Sequence, residues 1–248
     1  MNLKLQGKKA LVTGGTRGIG RSIVECFASE GCHVGFCART SAEVEKTSFS
    51  LAEKNVEIIG SILDIKDHTK LHEWINHTAQ KLGGVDIYIS NVSAQSYSWA
   101  ENFQVDIMSC VYGIESALPF LSSSEAGSIV AIASKAAVLS VPSYKPYSAM
   151  KAALISYISS LSRELAPMGI RANCVSPGEI YFSGGFWERI QIEDPQLFKK
   201  TLASNPLGRF GTPEEVARAV AFLASPAASF ISGTNLMVDG AGKEHVQF

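Results

Sequence analysis

Short apolar runs alternate along the chain with longer segments in which apolar residues recur every three or four positions. The first pattern is typical of buried strands and the second of amphipathic helices. The runs predicted as strands are residues 8–13, 33–37, 56–62, 85–90, 128–133, 170–176 and 236–238. The segments predicted as helices are residues 18–30, 41–53, 68–82, 102–121, 146–168 and 213–223.

The predicted strands fit a parallel sheet. Runs such as VDIYIS at 85–90 and SIVAIA at 128–133 are almost continuously apolar, as strands covered on both faces by helices must be. No linker rich in Pro, Gly or Ser divides the chain. We therefore predict an α/β fold with a single domain spanning residues 1–248, built on a doubly wound, seven-stranded parallel sheet with helices on both faces.

Residues 179–206 interrupt the alternation between the sixth predicted strand and the last predicted helix. The segment is rich in aromatic residues and carries Gly184 and Gly185 near its start. Long insertions in compact domains are usually lids or binding loops, and paired glycines provide a hinge. We interpret the segment as a substrate lid; a helical insertion that only extends the core is the alternative.

Composition and charge exclude several classes of partner. The chain has 248 residues, of which 46% are hydrophobic and 18% charged, with a mean hydropathy of +0.12, values typical of a soluble globular protein. Its formal net charge is −1 and it contains no run of Lys and Arg, so we predict no nucleic-acid partner. No apolar run reaches the length of a membrane span, so we predict no membrane partner either.

The five cysteines indicate a reducing compartment. They are odd in number, scattered and without C-x-x-C spacing, which argues against a disulfide framework and against a zinc site. We expect reduced core thiols and no metal. Because residues 1–7 also lack the apolar segment of a signal peptide, the expected location is the cytoplasm.

A glycine cluster lies where the first predicted strand meets the first predicted helix. Gly14, Gly18 and Gly20 have the spacing G-x-x-x-G-x-G. A turn of this kind lets the backbone approach a pyrophosphate closely and offers it the free N–H groups of a helix N-terminus. The cluster therefore predicts a dinucleotide site, with a tight turn that binds no ligand as the alternative.

The end of the second predicted strand indicates which dinucleotide binds. NAD sites usually place an acidic residue there for the ribose 2′-hydroxyl, whereas a 2′-phosphate requires Arg. Residues 37–40 read Cys-Ala-Arg-Thr, with Arg39 and no carboxylate, and Arg17 stands in the glycine cluster. The pair of arginines predicts NADP(H) as the cofactor.

Two candidate catalytic residues lie on the helix predicted at 146–168. Tyr147 and Lys151 are four residues apart and so share one helical face. A tyrosine has an ordinary pKa near 10, and an ammonium at about 4 Å supplies roughly the 4 kcal/mol needed to lower such a pKa by about 3 units. Ser134 closes the fifth predicted strand and so places a hydroxyl at the carboxyl edge of the sheet, where ligands of α/β folds bind.

Together these motifs resemble the short-chain dehydrogenase/reductase family over essentially the whole chain. The resemblance rests on TGGTRGIG at 13–20, IAS at 132–134, YSAMK at 147–151, SPGEI at 176–180 and the tail segments PLGRFGTPEEVA and ISGTNLMVDGA. It implies a Rossmann fold, a homotetramer, and an oxidoreductase that transfers a hydride between NADP(H) and a ketone or secondary alcohol.

The resemblance also implies a role for each matching residue. Tyr147 would exchange a proton with the substrate oxygen, Lys151 would assist it and hold the nicotinamide ribose, and Ser134 would hydrogen-bond the carbonyl. The residues implied to contact the cofactor are Gly14, Thr16, Arg17, Gly18, Ile19, Gly20, Arg39, Asp64, Ile65, Asn91, Tyr147, Lys151, Pro177, Gly178 and Ile180.

Three positions depart from the family pattern. Residues 90–93 read Ser-Asn-Val-Ser instead of N-N-A-G, which places a side chain near the nicotinamide, and Phe182 replaces a Thr. Asp106 stands where the family has the Asn of a catalytic tetrad, and is the fourth catalytic candidate. A carboxylate beside Lys151 would offset part of the ammonium's field and favour reduction on the acid side of neutral. Alternatively, Asp106 faces a backbone N–H or solvent and is electrostatically remote from Lys151.

The leading hypothesis is an NADPH-dependent reductase of a small to medium, apolar or cyclic ketone. It is motivated by aromatic residues around the expected mouth of the site: Tyr97, Trp99, Tyr144, Tyr181, Phe182, Phe186 and Trp187. One alternative is a 3-oxoacyl thioester reductase, although basic clustering for a carrier protein is limited to Lys199 and Lys200. The alternative from another class is an NADP-binding regulatory protein without turnover.

Overall fold

The computed structural model describes residues 2–244, which contain a seven-stranded parallel sheet in the order β3-β2-β1-β4-β5-β6-β7. The strands are β1 (Lys9–Thr13), β2 (His33–Ala38), β3 (Ile58–Ile62), β4 (Ile87–Ser90), β5 (Ser128–Ile132), β6 (Arg171–Pro177) and β7 (Asn235–Val238). The predicted fold class is confirmed. Each predicted strand is present, with ends displaced by at most two residues.

Helices cover both faces of the sheet. They are α1 (Gly18–Ser29), α2 (Ser41–Ser50), α3 (His68–Leu82), α4 (Trp99–Asn102), α5 (Ser109–Leu121), α6 (Lys145–Leu165), α7 (Phe186–Glu193), α8 (Pro195–Ser204) and α9 (Pro213–Ala224). One hydrophobic core contains Ile75, Ile114 and Leu154 from α3, α5 and α6. The other contains Phe27 and Val220 from α1 and α9. The nearly continuous apolar strands are thus buried from both sides.

Within the described residues, no helix combines the length and the apolar character needed to cross a bilayer.

The helix predicted at 102–121 is divided. It begins as α4, continues as a π-helical segment (Phe103–Met108) and ends as α5. A π segment inserts one extra residue per turn, and such segments occur frequently at functional sites. Here the segment carries Asp106, which is buried.

The insertion at 179–206 contains two helices, α7 and α8, that the apolar periodicity did not predict. Neither helix has a fully buried residue. An insertion that served only to extend the core would bury an apolar face.

The order of the strands sets the position of the site. Strand β1 pairs with β2 on one side and with β4 on the other, so the direction of winding reverses between β1 and β4. Ligands of such sheets bind outside the carboxyl ends of the strands at this point. The segments that follow β1, β4, β5 and β6 carry Gly14, Asn91, Ser134 and Gly178.

Candidate active site

The glycine turn after β1 is tightly built. Gly14 and Gly18 have φ angles of +71° and +52°, a region that residues with a side chain rarely occupy. At Gly20 a Cβ atom would collide with the Gly14 carbonyl oxygen and the side-chain amide of Asn91. The turn therefore brings α1 against the end of β1 closely enough that only glycine fits at position 20.

Asn91 fastens this turn to β4. Its side-chain Nδ2 donates hydrogen bonds to the carbonyl oxygens of Thr13 at 2.9 Å and Gly14 at 3.2 Å. Its backbone N–H donates to Thr13 Oγ1 at 3.0 Å. These bonds give Asn91 a definite structural role in holding the glycine turn.

A first cavity of about 320 Å³ opens beside the turn. Among the residues implied to hold the cofactor, its wall contains Gly14, Thr16, Arg17, Arg39, Asp64 and Ile65. Arg17 and Arg39 are exposed, and neither guanidinium group forms a hydrogen bond or an ion pair with any residue of the described chain. Both guanidinium groups are therefore available to an anionic ligand.

The first cavity also contains a carboxylate that sequence reasoning missed. Glu43, in the first turn of α2, lines the cavity, and its Oε2 accepts a hydrogen bond of 3.2 Å from Thr16 Oγ1. Residues 37–40, at the end of the second strand, contain no carboxylate, and Glu43 lies beyond them in α2. The contact joins residues 27 positions apart in sequence, so only the fold reveals that Glu43 lies here.

A second cavity of about 140 Å³ adjoins the first, and both contain Ser93 and Gln95 in their walls. The implied site residues that line it are Ile19, Asn91, Ser134, Tyr147, Lys151, Pro177, Gly178 and Ile180. The structure thus brings residues from the segments after β1, β4, β5 and β6 and from α6 to one place. Gly18 and Gly20 line neither cavity.

Ser134 lies two residues beyond the end of β5, not at the end of a strand running to residue 133 as predicted. It precedes a short 3₁₀ helix (Lys135–Val138), and its Oγ accepts a hydrogen bond from the backbone N–H of Ala136 at 3.1 Å. The bond turns the chain out of the sheet. Because the hydroxyl serves as an acceptor here, its own proton stays available for donation into the cavity.

Tyr147 lies in the first turns of α6, half-buried beside Lys151. The Lys151 Nζ lies 5.8 Å from the centre of the Tyr147 ring. No described residue forms a hydrogen bond with the Tyr147 hydroxyl. The hydroxyl is therefore free to meet a ligand in the second cavity.

Lys151 forms a buried ion pair with Asp106. Its Nζ lies 2.9 Å from Asp106 Oδ1 and donates a hydrogen bond of 2.8 Å to the carbonyl oxygen of Ile132. The other carboxylate oxygen accepts a hydrogen bond of 3.2 Å from the backbone N–H of Ala94. The alternative, an Asp106 electrostatically remote from Lys151, is therefore wrong, although the same carboxylate also accepts a hydrogen bond from a backbone N–H.

The ion pair decides the charge of the lysine. Burial alone lowers the pKa of the Lys151 ammonium, but the Asp106 carboxylate and, after it, Tyr147 raise it more, so this pKa lies above its ordinary value. At neutral pH Lys151 is a fixed positive charge beneath the cavity. The hydrogen bond to the Ile132 carbonyl uses one of the three protons of the ammonium, so the ammonium can also donate to a ligand.

Aromatic rings form one wall of the second cavity. Phe182, Phe186 and Trp187 line it, and Tyr144 lies edge-on to both Phe186 and Tyr147 at 6.1 and 5.9 Å. Other aromatic residues expected at the mouth lie elsewhere. Tyr181 packs on Phe198 outside the cavity, and Trp99 is 55% exposed on α4.

The substitutions at 92, 93 and 182 have different consequences. The Val92 side chain lies against Gly14 on the side of the first cavity, whereas Ser93 reaches both cavities. The Phe182 ring lies where any side chain on Gly18 would have to be. The substitution at 182 thus places a ring over the glycine turn where the family has a hydroxyl.

The family model and the known proteins to which this chain is similar are those of oxidoreductases, as the geometry of the site indicates. Residues 14–241 match the family model described as enoyl-(acyl carrier protein) reductase. The chain belongs to the short-chain dehydrogenase/reductase family. It is 37% identical to an isoepoxydon dehydrogenase of Penicillium expansum, over 98% of both chains, and 37% identical to a tropinone reductase homolog of Arabidopsis thaliana, over 95% of this chain and 91% of the relative.

A solved relative has the same fold throughout. The L-sorbose reductase of Gluconobacter frateurii, crystallised with NADPH and L-sorbose, superposes with a TM-score of 0.91 at 27% identity, covering 99% of this chain and all of that one. The oxidoreductase class predicted from the motifs is confirmed by these relatives.

Proposed function

We propose that this protein is an NADPH-dependent reductase of a small to medium, apolar or cyclic ketone, running reversibly as an alcohol dehydrogenase. The observation that carries the proposal is the meeting of Ser134, Tyr147 and Lys151 in the second cavity, which adjoins the first cavity with its two unpaired guanidinium groups. Ser134, Tyr147 and Lys151 suit the transfer of a proton to a carbonyl oxygen. The arginines suit a 2′-phosphate.

The residues present fit NADP(H). The glycine turn leaves no room for a Cβ at Gly20, Arg17 and Arg39 are available to a phosphate, and the two adjoining cavities match the two halves of a dinucleotide. Asp64 and Ile65 would contact the adenine, and Pro177, Gly178 and Ile180 the nicotinamide. The L-sorbose reductase supports this assignment, because it was crystallised with NADPH.

In the mechanism, bound NADPH supplies the hydride. Ser134 donates a hydrogen bond to the substrate carbonyl oxygen and orients it, since its Oγ is already held by Ala136. Tyr147 gives its hydroxyl proton to the same oxygen as the alcohol forms. Lys151 stabilises the resulting negative charge on Tyr147, and its ammonium can also donate a hydrogen bond to the nicotinamide ribose. Asp106 positions the lysine and keeps it charged.

The aromatic wall supports an apolar substrate. Phe186 and Trp187 belong to α7, within the insertion at 179–206 that we propose to act as a lid. A ring-shaped ketone would contact these side chains, which Tyr144 supports by packing edge-on against Phe186. The absence of buried residues in α7 and α8 supports a lid rather than an extended core.

A panel of substrates tests the proposal. Cyclic and open-chain ketones, 3-oxoacyl thioesters and a blank are each incubated with NADPH, and the decrease of its absorbance is followed. Consumption with apolar ketones supports the proposal, whereas consumption only with thioesters favours the thioester reductase. No consumption with any compound, together with NADPH binding in calorimetry, favours the regulatory protein.

We also propose a homotetramer in the cytoplasm. The tetramer rests on the family resemblance, and light scattering coupled to size exclusion measures it. The location rests on the five cysteines, all unpaired and four of them buried.

A further inference from the structure

The wall of the first cavity carries both signs of charge. Its charged residues are Arg17, Arg39, Lys66, Glu43, Asp64 and Glu101. Of the carboxylates, Glu43 is the one hydrogen-bonded to the glycine turn, through Thr16. It lies in the first turn of α2, where the helix dipole favours a negative charge.

The hydrogen bond between Thr16 and Glu43 occupies the Thr16 hydroxyl proton and holds the Glu43 carboxylate in the cavity wall. A hydroxyl has one proton, and Thr16 gives it to the Glu43 carboxylate, so it has none left for a phosphate oxygen. The carboxylate also adds a negative charge to the wall of the cavity that contains Arg17 and Arg39. A 2′-phosphate, which is itself doubly charged near neutral pH, would be repelled by that charge. A ribose 2′-hydroxyl, in contrast, would donate a hydrogen bond to it.

We propose that Glu43 is a specificity-determining residue that limits the preference of this protein for NADPH over NADH. Arg17 and Arg39 attract the 2′-phosphate, and Glu43 opposes them in the same cavity. The inference rests on the proposed function, because it requires the adenosine end of the cofactor to lie in the first cavity. It predicts that the wild-type protein retains measurable affinity for NADH.

The test compares Glu43→Gln with Glu45→Gln. Glu45 lies on the same helix, accepts a hydrogen bond from Ser41 at 2.7 Å, and is not among the residues that line the cavity. Both substitutions remove one negative charge from α2, so the pair separates a local effect from a general one. Thermal unfolding of each variant checks that the fold is retained.

Calorimetry measures the Kd of NADPH, NADH and adenosine 2′,5′-bisphosphate for each protein. The last probe contains the 2′-phosphate but no nicotinamide, so it reports on the first cavity without turnover. Glu43→Gln is expected to bind NADPH and the bisphosphate about 3- to 10-fold more tightly, with NADH unchanged or weaker. Glu45→Gln is expected to behave as wild type.

Two results would overturn the inference, and they are distinguishable from failure of the proposed function. Equal Kd ratios of NADPH to NADH in wild type and Glu43→Gln, or the same change in Glu45→Gln, would show that Glu43 does not select the cofactor. If the wild-type protein bound neither dinucleotide, the proposed function would fail and this inference with it.

Discussion

Replacing Asp106 with Asn removes one charge from an ion pair that is almost completely buried. The side chains of Lys151 and Asp106 are only 2% and 0% exposed, and their charged atoms lie 2.9 Å apart. Two unit charges at that distance attract by about 6 kcal/mol at an effective dielectric constant of 20. Desolvation offsets part of this, and breaking a buried pair by removing one partner costs about 3–5 kcal/mol.

Asn keeps part of the interaction, because its amide oxygen still accepts a hydrogen bond from the ammonium, worth about 1.5–3 kcal/mol. The net loss is therefore about 2 kcal/mol, which lowers the Tm of a chain of this size by roughly 4–8 °C. The carboxylate raises the pKa of Lys151, so its removal lowers that pKa. Because the pKa of Lys151 is raised in the folded wild-type protein, its ammonium stabilises the fold at neutral pH. This stabilisation is lost as the pH rises through the pKa of Lys151 in the folded state. The difference in Tm should therefore shrink in strongly alkaline buffer.

Circular dichroism gives the Tm, and kcat/KM against pH gives the effect on catalysis. Without the Asp106 charge, the basic limb of the reduction profile should move to lower pH, because the pKa of the Lys151 ammonium falls and its charge is lost sooner. Glu193→Gln is the matched control: its pair with Arg189 spans 3.7 Å between side chains that are 57% and 63% exposed, so its loss should cost less than about 0.5 kcal/mol. An Asp106→Asn variant with unchanged Tm and a superimposable pH profile would refute the reasoning.

Three further predictions concern the cofactor and the proposed lid. Arg39→Asp should reverse the order of kcat/KM for NADPH and NADH, since it replaces an attractive charge with a repulsive one; an unchanged order would mean that Arg39 does not contact the 2′-phosphate. Replacing Phe186 or Trp187 with Ala should change the ranking of ketones more than the Kd of NADPH, and an unchanged ranking would mean that the rings only pack. Gly20→Ala should weaken NADPH binding at least about tenfold in calorimetry, because its methyl group meets the Gly14 carbonyl; wild-type affinity would contradict the tight turn.

The helices and strands best predicted from sequence are those whose ends are marked by residues next to them in the sequence. Helix α3 has the predicted bounds because Asp67 caps its first turn through the Lys70 N–H, and Gly83 ends it in the left-handed conformation. Both signals are local, so they can be read without knowing the fold. The buried strands were similarly visible as apolar runs.

The parts that could not be predicted depend on contacts distant in sequence. The π segment places Asp106 beside Lys151, 45 positions later, and no local pattern announces it. Helix α7 has no buried face to create a clear apolar periodicity. Glu43 reaches the glycine turn because α2 lies beside that turn and α1, to which Thr16 and Arg21 join it by hydrogen bonds to Glu43 and Thr47. Nothing in the residues at the end of the second strand indicates this contact.

The most direct test of the account is the turnover of Tyr147→Phe. The substitution removes only the hydroxyl, which no described residue binds, so the fold and the NADPH affinity should remain. With a ketone that the wild-type protein reduces, kcat should fall by about 10²- to 10⁴-fold, while the Kd of NADPH in calorimetry stays within about twofold. A variant that kept a large fraction of wild-type kcat would contradict the assignment of Tyr147 as the proton donor, and with it the proposed mechanism.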